Sequence, residues 1–283
     1  MEDKIDTVKK FISSFSRRKS RGFTKCEHHL IETVLPRCLL DISNPEKTLW
    51  PQIPLYAKCY LEIGFGSGEH LAELASADPF NIFIGCEPFL NGVAQLLVKI
   101  EKLNLNNILI WIDDARYLIE KLPDHCIDRI YVLFPDPWPK RKHVKRKLIN
   151  RESLELLGTK IKIDGELILA TDCLKYAKHI HNIFNRLFSK FTYVGEMQGV
   201  DVAWHHDILD IHGDSSIGVM QQSIAEAEYR NKSNANHQWM VLYEKILNAD
   251  EAENKKIYTR YAIKAIQENK PIHHFSATLQ TLS

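Results

Sequence analysis

No stretch of the sequence approaches the roughly 18 consecutive apolar residues that a membrane-spanning helix needs, so a protein of that kind is not expected. Met1 to Lys10 is charged and lacks the apolar core of a secretion signal. The six cysteines, Cys26, Cys38, Cys59, Cys86, Cys126 and Cys173, never form a C-x-x-C pair, and several lie within apolar runs. That usage argues against a zinc site or a disulfide framework. No metal is expected, and a reducing cytoplasm suits the chain best. No internal repeat and no low-complexity tract interrupts it. With 283 residues, 45% hydrophobic and 26% charged, it falls in the ordinary globular range. One large α/β domain with extensions, or two small domains, would use that length.

An excess of one charge sign is also missing, since the net charge is only +1. The average hides a strong local bias. Lys140 to Lys147 packs six cations into eight residues, and Arg17-Arg18-Lys19-Ser20-Arg21 forms a second cluster. Acidic residues elsewhere, notably Asp250 to Glu253, balance them. Such segregation reads either as solvated loops or as a surface that faces a polyanion.

From Cys59 onward short apolar runs alternate with helix-like segments. Strands are expected at Cys59–Ile63, Asn81–Cys86, Asn107–Ile112, Ile127–Phe134 and Gly165–Ala170. Helices are expected at Glu69–Ala77, at Phe89–Leu103, and briefly up to about Leu122. A further helix and strand are expected over Asp172–Lys190 and Phe191–Met197. Ser215–Asn236 is polar with a helical patch. Trp239–Lys245 reads as a strand, Tyr258–Asn269 as a helix and Pro271–Leu279 as a last strand. This alternation implies a parallel sheet covered on both faces.

Leu61-Glu62-Ile63-Gly64-Phe65-Gly66-Ser67-Gly68-Glu69 runs from a strand through a tight turn into a helix. Gly64 and Gly66 allow a sharp turn and a close approach of backbone to ligand. The spacing is G-x-G-x-G, not the G-x-G-x-x-G that cradles a pyrophosphate. A cofactor carrying an amino acid and a sulfonium would tolerate the acidic neighbour Glu62 better. Glu87 lies 19 residues after Gly68, at the end of the next strand, where a carboxylate can accept both hydroxyls of a ribose. Asp113 and Asp114 follow the third strand and read either as helix N-caps or as a hold on an adenine amino group. These features favour a nucleoside cofactor, with S-adenosylmethionine ahead of NAD.

Phe134-Pro135-Asp136-Pro137-Trp138-Pro139-Lys140 follows the fourth strand. Three prolines in five residues make a stiff loop that fixes Asp136 and Trp138. An indole can stack on a base, and the polycation that begins at Lys140 can neutralise phosphates. The alternative is a proline corner that packs Trp138 into the core.

With these motifs the chain resembles the bacterial tRNA (guanine-N7)-methyltransferase family. The matching stretches are Leu61 to Gly68, Gly85-Cys86-Glu87-Pro88, Asp114-Ala115, Phe134 to Trp138 with Lys140 to Lys147, and Ala170-Thr171-Asp172. The arm from Phe15 to Gly22 is similar too. The likeness runs over about residues 15 to 190 and returns near Thr259 to Ile272. It implies a Rossmann-like class I methyltransferase, an α/β fold with a mostly parallel seven-stranded sheet and helices on both faces. Residues 1–50 would be a basic arm with a lead-in helix, 51–198 the cofactor-binding core, and 199–283 the completion of the sheet with a long insert over about 199–256.

The resemblance implies S-adenosylmethionine held by Glu62, Gly64, Gly66, Glu87, Asp114 and Asp136, with Asp136 also the active-site carboxylate. Lys140, Asp172, Thr259 and Tyr261 would contact substrate. Lys142, His143, Lys145, Arg146 and Lys147 would bind tRNA, with methylation at the variable-loop guanine, tRNA position 46. The protein would act as a monomer or homodimer without metal or membrane. The family's Thr-x-x-Glu appears here as Thr259-Arg260-Tyr261-Ala262, so alanine stands where glutamate is expected. Two other readings remain open: an amino-group methyltransferase, whose Asp-Pro-Pro-aromatic loop occupies the same place, and a tRNA-binding module without catalysis. An NAD oxidoreductase is more distant.

Overall fold

The computed structural model describes residues 22–42, 57–187, 237–247, 259–268, 270 and 272–281. Apolar runs of four to seven residues, each cut by glycine, proline or a polar turn, form the first strands. They are β1 (Cys59–Ile63), β2 (Ile82–Cys86), β3 (Ile108–Trp111) and β4 (Ile127–Leu133). β5 (Ile161–Thr171), β6 (His237–Leu247) and β7 (Ile272–Thr281) complete one sheet. The spatial order is β3-β2-β1-β4-β5-β7-β6. β1 to β5 pair in parallel, whereas β7 runs antiparallel to both β5 and β6.

The described residues also form the helices α1 (Lys25–Thr33), α2 (Leu35–Cys38), α3 (Glu69–Ala77), α4 (Leu90–Leu103), α5 (Ala115–Lys121), α6 (Arg151–Lys160), α7 (Leu174–Leu187) and α8 (Arg260–Gln267). Alternate residues of the strands point to opposite faces. Ile84, Cys86, Ile130 and Val132 therefore join α5, α6 and α7 in one buried cluster, with Tyr176, Ile180 and Phe184 at its centre. Phe83, Ile108 and Ile110 join α1, α3 and α4 on the other face. Tyr131 and Leu133 meet α8 through Ala262 and Ala265. α1 starts at a capping box, in which Thr24 Oγ1 accepts from Glu27 N (3.2 Å) and Glu27 Oε2 accepts from Thr24 N (2.8 Å).

Several element boundaries differ from those expected. β5 begins at Ile161 rather than Gly165. Asp164 takes a left-handed conformation (φ 62°), and the pairing with β4 shifts between Ile127 and Arg129, so Gly165 marks a bulge inside the strand rather than its start. β4 ends at Leu133: Phe134 N still donates to Ala170 O of β5 (2.7 Å), but its left-handed backbone (φ 52°) turns the chain out of the strand. The strands at the far edge are longer than their apolar cores. The basic arm, Phe191–Met197 and Ser215–Asn236 lie outside the described residues.

Candidate active site

In this strand order the direction of winding reverses between β1 and β4, and ligands of open α/β sheets bind beyond the carboxyl ends of the strands at such a point. A cavity of about 420 Å³ opens there, within the ~300–1,000 Å³ usual for small-molecule sites. Gly64, Gly66, Glu87, Asp114, Asp136 and Trp138 all line it. One cavity thus joins the glycine loop, the acid after β2 and the proline loop after β4.

The glycine loop is built by local constraint. Gly64 and Gly66 both have positive φ (78° and 57°), which an L side chain rarely adopts. A Cβ on either would meet no protein atom within 4 Å, so their open side faces the cavity. From α4, Lys99 Nζ donates to Ser67 O (2.8 Å) and anchors the outer edge of the loop.

Glu87 braces the inner edge. Its Oε2 accepts from Gly66 N (2.8 Å) and its Oε1 from Phe89 N (2.9 Å). Burial pushes its pKa above the usual carboxylate range, and the nearby Glu62 and Asp136 carboxylates push the same way, while the two backbone N–H groups oppose the rise. A buried acid under repulsion from two others is a site that favours a cationic ligand.

Glu62 stands apart from the cavity wall. Only 2% exposed, it lies below the loop with His70 Nδ1 at 2.9 Å from its Oε2, and the His70 ring meets Tyr131 edge-on at 4.8 Å. Asp114 reaches the wall with its oxygens already engaged. Oδ1 accepts from Arg116 N (3.0 Å) and Nε (2.9 Å), and Oδ2 from Arg116 Nη2 (2.6 Å). The helix-cap reading of Asp114 is therefore met, and Arg116, which also lines the cavity, had no signal in the sequence.

Asp136 is exposed at the cavity mouth. Its loop begins with Phe134 and includes Trp138 (φ 40°), both left-handed without being glycine. Each such residue costs about 1–3 kcal/mol and persists only where its surroundings over-determine it. Trp138 does not pack into the core. Arg146 lies over its ring at 5.0 Å and His143 meets its edge at 5.5 Å. The basic segment forms a 3₁₀ turn, Arg141–Arg146, that folds back onto the proline loop. Lys145, Arg146 and Lys147 line the cavity, whereas Lys140, Lys142 and His143 stand outside its wall.

Of the remaining candidates, Asp172 is half-buried and also off the wall. Thr259 caps α8, its Oγ1 accepting from Ala262 N (3.0 Å), and does not line the cavity. Its neighbours Arg260 and Tyr261 do. Tyr261 stacks on Phe134 at 6.2 Å with 23° between planes. Ala262 is buried against Tyr131, Leu133 and Ala170. Phe134, Arg116 and Arg260 are site residues that sequence reasoning missed.

Cysteine chemistry has no foothold here. Burial pushes Cys38 up to about 11 and Cys126 up to about 12, and raises Cys59 and Cys86 as well. Among the described residues no His, Cys, Asp and Glu group could hold a metal ion, and no helix is long and apolar enough to cross a membrane.

The strand order, the reversed β7 and the glycine loop facing a partly aromatic cavity, with acids beside the loop and cations at the basic segment, fit a methyltransferase with a nucleoside cofactor. A family model described as "Putative methyltransferase" matches residues 56–199. The tRNA (guanine-N(7)-)-methyltransferase of Wolbachia pipientis wMel is 44% identical over 171 residues, covering 60% of this chain and 74% of the relative. Its counterpart from Hyphomonas neptunium is 51% identical over 164 residues, covering 58% and 75%. The chain belongs to the tRNA (guanine-N7)-methyltransferase family.

Proposed function

We propose that this cavity transfers a methyl group to N7 of a guanine in tRNA, at the variable-loop guanine of position 46, with Asp136 as the active-site carboxylate. The observation that carries the reading is the meeting of Asp136, Trp138, Glu87 and the glycine loop with three cations of the basic segment in one cavity. When bound, S-adenosylmethionine supplies an electrophilic methyl on a sulfonium. The residues present suit it. Gly64 and Gly66 leave room where a side chain would intrude, Glu87 offers a braced carboxylate to ribose hydroxyls, and the carboxylates clustered at Glu87 suit a cation.

N7 of guanine carries an exposed lone pair, so no proton has to leave before it attacks and no strong general base is needed. The protein's task is orientation. The Phe134–Tyr261 stack and Trp138 offer flat apolar surfaces for the base. Asp136 accepts from the guanine N1 and N2 hydrogens, or stabilises the positive charge that the ring acquires. Lys145, Arg146 and Lys147 hold the flanking phosphates. Glu62, one layer below, supports the loop through His70. Asp114 and Arg116 form the adenine side of the wall, and Thr259 serves by fixing the first turn of α8. Lys140, Lys142, His143 and Asp172 contact the RNA outside the cavity.

The same reading divides the chain into an arm (1–50), a core (51–198) and a C-terminal completion (199–283), and makes it a cytoplasmic monomer or homodimer. Labelled S-adenosylmethionine and unmodified tRNA test the proposal. Nucleoside analysis should return 7-methylguanosine, and a tRNA with adenine at position 46 should take up no label. Label on an exocyclic amine, or undiminished uptake by the altered tRNA, would refute it.

A further inference from the structure

α7 (Leu174–Leu187) carries Lys175, Lys178 and Arg186 with His179 and His181, and not one acidic residue. Helices that only face solvent gain from mixing charges at three- and four-residue spacing, and this one does not. Lys175 lies in the first turn, where the helix dipole disfavours a cation. Its buried face is settled: Tyr176, Ala177, Ile180 and Phe184 are fully enclosed against the sheet. Lys175 is left exposed and Lys178 half-exposed.

Three contacts fasten this helix to the end of the basic segment. Lys147 Nζ lies 5.3 Å from the centre of the Tyr176 ring. Tyr176 Oη accepts from Ile149 N (3.2 Å), and His179 Nε2 donates to Ile149 O (3.0 Å). The cations of the cavity rim and those of α7 thus meet at one junction. Burial lowers the pKa of His179, and the positive field of Lys147 adds to the effect.

We infer that α7 is a second RNA-backbone contact, in which Lys175 and Lys178 carry the cationic strip past Lys147 and take phosphates of the tRNA body outside the cavity. The inference rests on the proposed tRNA reading and extends it to a helix with no part in methyl transfer.

The test uses the full chain with Lys175→Glu and Lys178→Glu together, unmodified tRNA as the probe, and affinity measured from about 50 to about 200 mM salt. Two lost phosphate contacts should reduce the slope of log affinity against log salt by about 1.4–1.8. The advantage of wild type over variant should therefore shrink about tenfold across that range. Binding of S-adenosylmethionine should stay at the wild-type value, which reports an intact fold. Lys102→Glu, on the last turn of α4 against the other face of the sheet, should leave the slope unchanged. An unaltered slope in the double variant, or an equal drop in Lys102→Glu, overturns the inference. Failure of the wild type itself to bind tRNA would instead count against the tRNA reading. The milder pair Lys175→Ala and Lys178→Ala should move the slope the same way, and no change there also overturns it.

Discussion

Gly92, in the first turn of α4, packs directly against the glycine loop. A Cβ added at Gly92 would lie 2.1 Å from Gly66 O and 3.0 Å from Gly66 C. An ordinary carbon–oxygen contact needs more than 3 Å, so Gly92→Ala forces a displacement of about 1 Å. The displaced atoms are backbone, so no side-chain rotation can absorb the clash. Overpacking of this kind costs about 1–3 kcal/mol of stability. At about 2–4 °C per kcal/mol for a chain of this size, the melting temperature should fall by several degrees without loss of the fold. The sharper effect falls on cofactor affinity. Gly66 N donates to Glu87 at 2.8 Å, and driving the Gly66 carbonyl away draws the residue off that bond. A hydrogen bond to a charged group contributes about 1.5–3 kcal/mol, so the dissociation constant for S-adenosylmethionine should rise about 10- to 100-fold. Calorimetric titration on folded protein reads it directly. A dissociation constant within about twofold of wild type would refute the claim that α4 sets the shape of the loop.

Other expectations follow from the same geometry. The free protein holds the Glu87 proton to a higher pH than an ordinary glutamate does. Its stability therefore falls as pH rises from the ordinary carboxylate range through the raised value, because the folded state binds that proton more tightly than the unfolded. Cofactor affinity should move the other way, weakening as pH drops through the same window, with a proton released on binding. In Glu87→Gln titrations at several pH values, both trends should vanish; a persistent pH dependence would point to another group. Replacing Lys145, Arg146 and Lys147 with alanine should reduce the salt slope of tRNA binding by about 2–3, and an unchanged slope would show that the segment does not touch phosphate. Thr259→Ala removes the cap of α8 and should cost about 1 kcal/mol in denaturant unfolding. KM for tRNA should rise while cofactor affinity holds, and Thr259→Ser should restore both stability and KM. Failure of serine to do so would indicate a role other than capping.

The parts of this site legible in the sequence are those with strong local consequences. The glycines, with φ that only glycine adopts easily, and the three prolines around Asp136 reveal a turn and a rigid loop wherever they occur. Glu87 lies at the end of β2 and on the cavity wall, since a strand and a glycine loop fix a neighbour's direction. Contacts across the fold were not legible. Nothing near Glu62 in the chain tells that His70 will meet it under the loop. The return of the basic segment onto Trp138 and the stack of Tyr261 on Phe134 depend on tertiary packing, which no spacing rule encodes. The bulge at Gly165 reads as a strand start in the sequence, because a glycine in an apolar run looks alike in both settings.

The most direct measurement is single-turnover methyl transfer by Asp136→Asn, run beside a cofactor titration of the same preparation. Asparagine keeps the size of the side chain and removes its charge, at a residue exposed at the cavity mouth. The account predicts transfer to guanine N7 slowed by about 10²- to 10³-fold, with S-adenosylmethionine still bound. Transfer at close to the wild-type rate would contradict it.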